Sequence, residues 1–331
     1  MLDVFHVPGN PKTNQQIFYP NNLASASATA FQTWVKPRGV NFVHIFALGA
    51  GGGGSSGAVG SNSLAGGGGG GASGAQCNLL YPAWLLPDVL YISVGVGGRG
   101  GASRVSTLGA GNVGTNGITS QVLLYPDSSL AGNYIARANF GSGSATAPTN
   151  VPAGGVGGVA GAVAAISSAW FAGLSIAGWG TAATNISLAG QTGATGGTTS
   201  FPVSSSAPAT GLLVTCGSGG AGLGAAGLVG SNGGNINNVT ILPTNVLGGV
   251  ASTSLTGNGG SGTNGFRADP KFLFFLGGTG GASGGGNGGN GGNGGDGYYG
   301  CGGGGGGAAL TGFSSGAGGN GGDGIVIMTA W

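Results

Sequence analysis

The stretch "GGGNGGNGGNGGDGYYGCGGGGGG", residues 284–307, decides how this chain can fold. Glycine loses more backbone freedom on folding than any other residue, so such a run is ordinarily a flexible linker. The first half of this run, however, repeats every three residues, with Asn or Asp after each pair of glycines. Three residues per turn is the period of the extended left-handed helix of the polyproline-II type. The repeat therefore predicts ordered, extended glycine helices.

Backbone hydrogen bonding explains how such helices can be ordered. A polyproline-II helix has no internal hydrogen bonds, but glycine keeps its N–H and has no Cβ. Glycine helices can therefore pack side by side and exchange N–H···O=C bonds, with Asn at every third position on the outer face. Collagen is excluded because the chain has only 13 prolines and no long strict glycine period. We expect polyglycine-II-type segments braced between β-strands.

The composition excludes several classes of protein. Of 331 residues, 85 are glycine, 40% are hydrophobic and 4% are charged, against about 25% charged in ordinary domains. Disordered chains combine low hydrophobicity with high charge, which is not the case here. The net charge of +2 comes with scattered basic residues, so nucleic acid is not expected as a partner. The three cysteines, far apart and odd in number, argue against a disulfide framework.

Alternating hydrophobic residues predict an all-β fold with a β-sandwich-like core and little or no α-helix. In the run from Phe42 to Leu48, even-numbered residues share one face and odd-numbered residues the other. Further strands are expected at 89–96, 120–126, 133–140, 211–216, 238–242, 271–276 and 324–331. The apolar segment 162–179 is small, Ser-rich and surrounded by glycine, so we interpret it as core or interface and not as a membrane span.

The distribution of charge suggests the domain organisation. Residues 1–30 form a polar arm for which no strand is predicted, and residues 31–331 form a glycine-rich β domain. Within this domain, the insertion 138–266 contains no Asp, Glu, Lys, Arg or His. A free surface of that kind would be sticky, so we expect burial against itself or against other subunits. A homo-oligomer, most plausibly a trimer, is the expected state.

Catalytic motifs are weak. "GVGGRG" at 95–100 fits a dinucleotide fingerprint, but the strand before it leads into more glycine and not into a helix. "GASGG" at 281–285 fits a nucleophile elbow, which needs a strand, a helix and a histidine partner. The chain has two histidines and no glutamate. We therefore predict that it is not an enzyme and uses no cofactor.

A calcium site is the more tempting alternative. The segments 291–299 and 318–326 both fit the nonapeptide GGxGxDxUx of calcium-binding β-rolls, with Asp296 and Asp323 as the possible ligands. A roll needs tandem copies, and the residues between these two contain no Asp. Calcium near Asp296 and Asp323 stays an open alternative, and no metal site is predicted.

Aromatic residues in or beside glycine-rich segments are the candidate receptor-binding residues. An aromatic side chain held on a rigid loop suits carbohydrate stacking or a partner hot spot, whereas the alternative is that each one caps a glycine stack as core. The candidates are Tyr298, Tyr299, Trp84 and Tyr81, with Trp170 and Trp179 as further aromatics of this kind.

Three stretches together carry a resemblance to a known family: "QTWVKPRGVNFVHIFALGAGGGG" (32–54), "VLYISVGVGGRGG" (89–101) and "GGNGGDGIVIMTAW" (318–331). A Trp–Pro–Gly opening leads into a strand and a glycine run, and glycines lead into a last apolar strand. This order resembles the glycine-rich domain of tailed-bacteriophage virion proteins, especially tail-fibre and adhesin proteins. The insertion 138–266 lies outside the resemblance.

The resemblance implies a β-sandwich-like core, location in the virion and host attachment. Expected partners are other virion proteins and a host surface carbohydrate or outer-membrane protein. The arm, residues 1–30, would attach the subunit to the particle, and glycine-rich loops including Tyr298 and Tyr299 would face outward. A head fibre or capsid decoration protein is the alternative, and a glycine-helix bundle that binds ice or another repeating surface is the alternative from another class.

Overall fold

The computed structural model of the chain describes residues 14–21, 31–61, 64–129, 133–149, 154–162, 186–198, 214–223, 229–237, 245–269 and 274–331. The strand predicted at 238–242 and nearly all of the apolar segment 162–179, with Trp170 and Trp179, lie outside these residues. Within the described part, the only helix is the 3-10 turn Ala83–Leu85. The all-β prediction is confirmed.

Strand β3 has the predicted bounds, whereas the other predicted strands in the described part are shorter than expected. They are β1 (Asn14–Phe18), β2 (Gln32–Val35), β3 (Phe42–Leu48), β4 (Val59–Gly60), β5 (Gln76–Pro82), β6 (Val89–Ser93), β7 (Ser120–Leu123), β8 (Tyr134–Ala138), β9 (Ile186–Leu188), β10 (Arg267–Asp269), β11 (Phe274–Phe275), β12 (Ala309–Leu310) and β13 (Ile325–Ala330). Strand β5 has no counterpart among the predictions. Of the strand predicted at 211–216, the described residues make only an isolated bridge at Val214.

Two antiparallel sheets form a sandwich. One has the strand order β1-β13-β3-β5-β9 and the other β2-β6-β7-β8. Their facing side chains make one buried cluster, with Ile45 and Met328 from the first sheet and Trp34, Ile92 and Ile135 from the second. The second face of the five-stranded sheet is also covered, which is why all six residues of β13 are buried.

The arm is a correction to the sequence prediction, because β1 lies within residues 1–30. All five of its residues pair with β13, from Asn14 opposite Ala330 to Phe18 opposite Val326. Phe18 is buried in the sandwich core. Part of the arm is therefore an edge strand of its own chain. The strand is too short to be identified from the sequence, and its pairing with the distant strand β13 stabilises it.

Beyond the sandwich, the chain forms a lattice of extended glycine helices, named PG1 to PG15 in chain order. Their residues are 49–58, 66–75, 95–102, 111–118, 139–145, 154–162, 189–197, 215–223, 230–236, 247–251, 257–265, 276–285, 289–297, 300–308 and 315–324. Strands run directly into them: β3 continues as PG1, β6 as PG3 and β8 as PG5, whereas PG2, PG4 and PG15 lead into β5, β7 and β13.

Successive residues of PG1 direct their hydrogen bonds to three different neighbouring helices in turn. The amides of Gly52, Gly53 and Gly54 donate to PG2, PG4 and PG15 in turn, with N···O distances of 2.9–3.0 Å. The carbonyls of Gly51, Gly52 and Gly53 accept in the same way from PG3, PG14 and PG5. PG1 therefore has six neighbours, three as donor and three as acceptor. This is hexagonal packing with the period of three residues that the sequence predicts.

The lattice requires glycine because the backbones touch. A Cβ added at Gly52, Gly53 or Gly54 would lie 2.0–2.2 Å from a backbone oxygen of a neighbouring helix. A buried hydroxyl fits where it replaces a backbone carbonyl as hydrogen-bond acceptor. The amide of Gly69 donates to Oγ of Ser55 at 2.8 Å, and the amide of Ser55 donates to the carbonyl of Gly69. Interior positions away from the helix ends are thus limited to glycine and a few small residues.

The molecule has two poles. The base is the end of the sandwich where β1 begins and β13 ends, and the tip is the far end of the lattice. At the tip, residues 59–61 with 64–65, the loop 103–110 and the loop 309–314 are bonded together: β4 pairs with β12 and the amide of Gly312 donates to the carbonyl of Ser106. A small cluster that includes Ala58, Leu223 and Ala308 closes the lattice there.

Candidate functional site

Trp84 is held in the open at the base. Its indole is 70% exposed on the 3-10 turn between β5 and β6, while Leu86 anchors that turn in the core. Lys36 Nζ donates to the carbonyls of Ala83 (3.1 Å) and Leu86 (2.6 Å) and lies 3.1 Å from Oδ1 of Asp88. An exposed aromatic side chain on a turn that hydrogen bonds hold in place loses little conformational entropy on binding, as at interface hot spots.

Other exposed hydrophobic residues lie at the same end of the four-stranded sheet. Val35 is 60% exposed and pairs across β2 and β6 with Val89, which is also exposed. Tyr125, exposed as well, follows β7 at that end. We name Val35, Trp84, Val89 and Tyr125 the base patch. Of these, the sequence identified only Trp84, because Val35 and Val89 look like ordinary strand residues until the register places them together.

Tyr81 is not a surface residue, which is a correction. Its side chain is buried between the two sheets and its hydroxyl donates to the carbonyl of Ile135 at 2.9 Å. Burial raises the pKa of this phenol. Tyr81 is the penultimate residue of β5, with its side chain on the core face. Because the sequence does not predict β5, it suggests a loop position for Tyr81.

Tyr298 and Tyr299 lie beside the sandwich and not at the tip. They form the turn from PG13 to PG14, and Tyr299 packs on the second hydrophobic cluster beneath the five-stranded sheet. Their rings are 4.7 Å apart, and that of Tyr299 is 5.9 Å from the ring of Tyr19 and 5.8 Å from that of Phe275. Partial burial raises the pKa of Tyr299. Tyr298 retains an exposed edge on the side of the molecule.

Asp296 and Asp323 are backbone caps in this structure. Oδ1 of Asp296 accepts the amide of Asn320 at 2.7 Å, and Oδ1 of Asp323 accepts the amide of Gly97 at 2.8 Å. Among the described residues, no group of three or more His, Cys, Asp or Glu side chains could hold a metal ion. The nonapeptide matches therefore reflect the three-residue repeat of glycine helices, which places an acidic or amide residue at the same spacing.

The tip carries a second exposed hydrophobic surface, which the sequence did not reveal. Leu64, Val105, Leu108 and Phe313 are 41%, 64%, 46% and 37% exposed on the three bonded loops, and we name them the tip patch. Arg104 fixes the loop that bears two of them. Its guanidinium donates to the carbonyls of Thr107, Leu108 and Ala110 at 3.2–3.4 Å. A lone arginine inside a short loop was the available sequence clue.

The three cysteines and His44 are covered by the fold. Cys77, Cys216 and Cys301 are free and buried, and burial raises the pKa of the Cys301 thiol. His44 bonds Asn78 on the neighbouring strand through Nε2, and burial lowers the pKa of its imidazole. The described residues therefore offer no reactive thiolate and no exposed histidine.

Comparison with known proteins gives no assignment. No family model matches the chain, and no curated protein matches it either. In the part of the chain that the structure describes, no helix is long and apolar enough to cross a membrane.

Proposed function

We propose that this chain is a non-enzymatic virion structural protein of a tailed bacteriophage, of the tail-fibre or adhesin type, which attaches the particle to its host. The resemblance of residues 32–54, 89–101 and 318–331 to that family supports the proposal. The observation that carries it is the polarity of the molecule: two exposed hydrophobic patches lie at opposite poles of a hydrogen-bonded lattice.

The base is the pole that binds other virion proteins. Strand β1 begins there, so the residues before Asn14 enter the fold at the base. The base patch offers two exposed aromatic side chains, Trp84 and Tyr125, and aromatic residues are enriched at interfaces. Homotrimeric assembly, inferred from the uncharged insertion 138–266, belongs to the same proposal.

The tip is the pole that contacts a carbohydrate or an outer-membrane protein of the host. Its loops carry exposed apolar side chains but are bonded to one another and to a rigid lattice. Binding residues often lie on loops that a rigid scaffold positions. In this proposal the tip patch, and not Tyr298 and Tyr299, binds the receptor, and Trp84 belongs to the surface that faces the particle.

Locating the subunit in an electron-microscopy map of whole particles tests the proposal. We expect it at the end of a tail fibre, with its base toward the fibre, and the same map gives the copy number. A location on the capsid would favour the head-fibre or decoration alternative. Absence from purified particles would overturn the virion role and leave the ice- or surface-binding alternative to be tested by ice recrystallisation.

Matched variants test the polarity. Trp84→Ala should reduce incorporation into particles at least tenfold. Val105→Ser with Leu108→Ser should leave incorporation unchanged and reduce adsorption to the host at least tenfold. Deletion of residues 1–13 tests whether the arm attaches the subunit to the particle. It spares β1, whereas deletion of residues 1–20 would remove an edge strand of the main sheet. The reverse pattern would show that the poles are exchanged.

A further inference from the structure

One surface of the lattice is built from four glycine helices that lie side by side. Backbone hydrogen bonds join PG11 to PG13, PG13 to PG15, and PG15 to PG3. Every third residue of these helices points outward and, unlike most interior positions, has a side chain. We name this surface the Asx face; its outward residues include Asn258, Asn264, Asn290, Asn293, Asp296, Asn320 and Asp323.

The side chains of PG13 accept hydrogen bonds from backbone amides of PG15 and of Ser314, the residue just before it. Asn290, Asn293 and Asp296 each use Oδ1 for one such bond, at three-residue intervals. The donors are the amides of Ser314 (2.8 Å), Ala317 (2.9 Å) and Asn320 (2.7 Å). In the interior of the lattice these acceptor positions belong to the carbonyls of a neighbouring glycine helix. The Asx side chains therefore stand in for a helix that is absent at the surface.

The same device recurs across the face and on a separate edge. Asn258 and Asn264 of PG11 accept amides of PG13 at 2.8 and 2.9 Å, and Asn320 and Asp323 of PG15 accept amides of PG3 at 3.0 and 2.8 Å. On the other edge, Asn232 and Asn235 of PG9 cap amides of PG10. Repetition on four helix pairs makes the arrangement a property of lattice edges.

The partner that such an edge fits is another glycine helix. The carbonyls of Gly291 and Gly294 accept no bond from any other described residue and are open to a donor. An approaching glycine helix could use these carbonyls and would supply acceptors for the amides of Ser314, Ala317 and Asn320. The edge is thus the lattice equivalent of an unpaired edge strand, which readily pairs with another chain.

We propose that the Asx face is a guarded lattice edge, on which side chains prevent a glycine helix of a second copy of this chain from joining the lattice. Two features act together. The carboxamide or carboxylate oxygens occupy the donors that a new helix needs, and the Cβ atoms hold its backbone away, because neighbouring glycine helices touch. Low charge makes the guard necessary: with 4% charged residues and a net charge of +2, repulsion between copies is weak.

Two triple variants separate the two features. Asn290→Gly, Asn293→Gly and Asp296→Gly together remove the caps and the Cβ atoms from PG13. Asn290→Ala, Asn293→Ala and Asp296→Ala remove the caps but keep the Cβ atoms. We expect amide exchange at residues 314, 317 and 320 to accelerate at least tenfold in both. Sedimentation velocity at micromolar concentration should show association beyond the wild-type state in the glycine variant alone.

A single substitution distinguishes the loss of one cap from a general loss of folding. In Asn293→Gly, exchange at the amide of residue 317 should accelerate, while residues 314 and 320 keep their wild-type rates. The proposal is overturned if all three amides exchange at wild-type rates in the triple variants, because the caps would then protect nothing. It is also overturned if the glycine variant stays in the wild-type association state, or if the alanine variant associates to the same extent.

Discussion

At the scale of the residue, His44 shows how a polar side chain is accommodated on a covered sheet face. Its Nε2 bonds Asn78, while its buried Nδ1 has no hydrogen-bond partner among the residues that the structure describes. Desolvation lowers the pKa of the imidazole, and the bond to Asn78 offsets only part of that shift. The neutral form is therefore the form that the fold accepts.

This shift predicts a loss of stability in mild acid. Because the folded-state pKa lies below the unfolded value near 6.5, the unfolded chain binds the proton more readily, and the free energy of unfolding falls as pH drops below about 6.5. Denaturant titrations at pH 7.5, 6.5 and 5.5 measure it. His44→Gln keeps a donor for Asn78 and removes the titration, so its stability should change less over this range. Equal slopes for both proteins would show that His44 does not carry the effect.

At the scale of the element, the glycine helix is the part of the fold that the sequence predicted best. The three-residue repeat of 284–296 was enough to predict this helix. Its period, the absence of a Cβ and the hydrogen-bonding capacity of its backbone all depend on the local sequence. The failures were long-range. Strand β5 begins inside a glycine-rich region and β1 lies in a polar arm, so their pairing with β3 and β13 had no local sign. The base and tip patches were missed for the same reason.

Packing of the glycine helices predicts the effect of a single added side chain. In Gly304→Val, the new Cβ would lie 2.1 Å from the carbonyl oxygen of Thr279, and the rigid neighbours cannot move apart. We expect a loss of more than about 3 kcal/mol in the free energy of unfolding, above the usual cost of overpacking, or no folded protein. Denaturant titration measures the loss.

Ala102→Val is the matched control for that change. Ala102 is exposed at the end of PG3, on the outward row that already carries Val96 and Arg99. A valine there should alter stability by less than about 0.5 kcal/mol, as surface substitutions usually do. If Gly304→Val were as well tolerated as the control, the helices around PG14 would not be in backbone contact.

At the scale of the whole molecule, a β-sandwich at the base supports a lattice that ends in a bonded tip. Antiparallel strands continue as antiparallel glycine helices, so the sandwich sets the direction of each helix. The interior of the lattice contains backbone and small side chains in place of a hydrophobic core. Its rigidity therefore comes from hydrogen bonds in three directions around each helix, which is what separates the two patches at a fixed distance.

Amide hydrogen exchange resolved along the chain tests the central claim, the hexagonal lattice, most directly. In PG1, PG2, PG12 and PG14, hydrogen bonds to six neighbouring helices enclose the backbone. We predict that amides in these helices exchange as slowly as those of β3 and β13, since they open only with the global fold. Exchange of residues 300–308 at random-coil rates, in a protein whose β3 remains protected, would contradict the lattice.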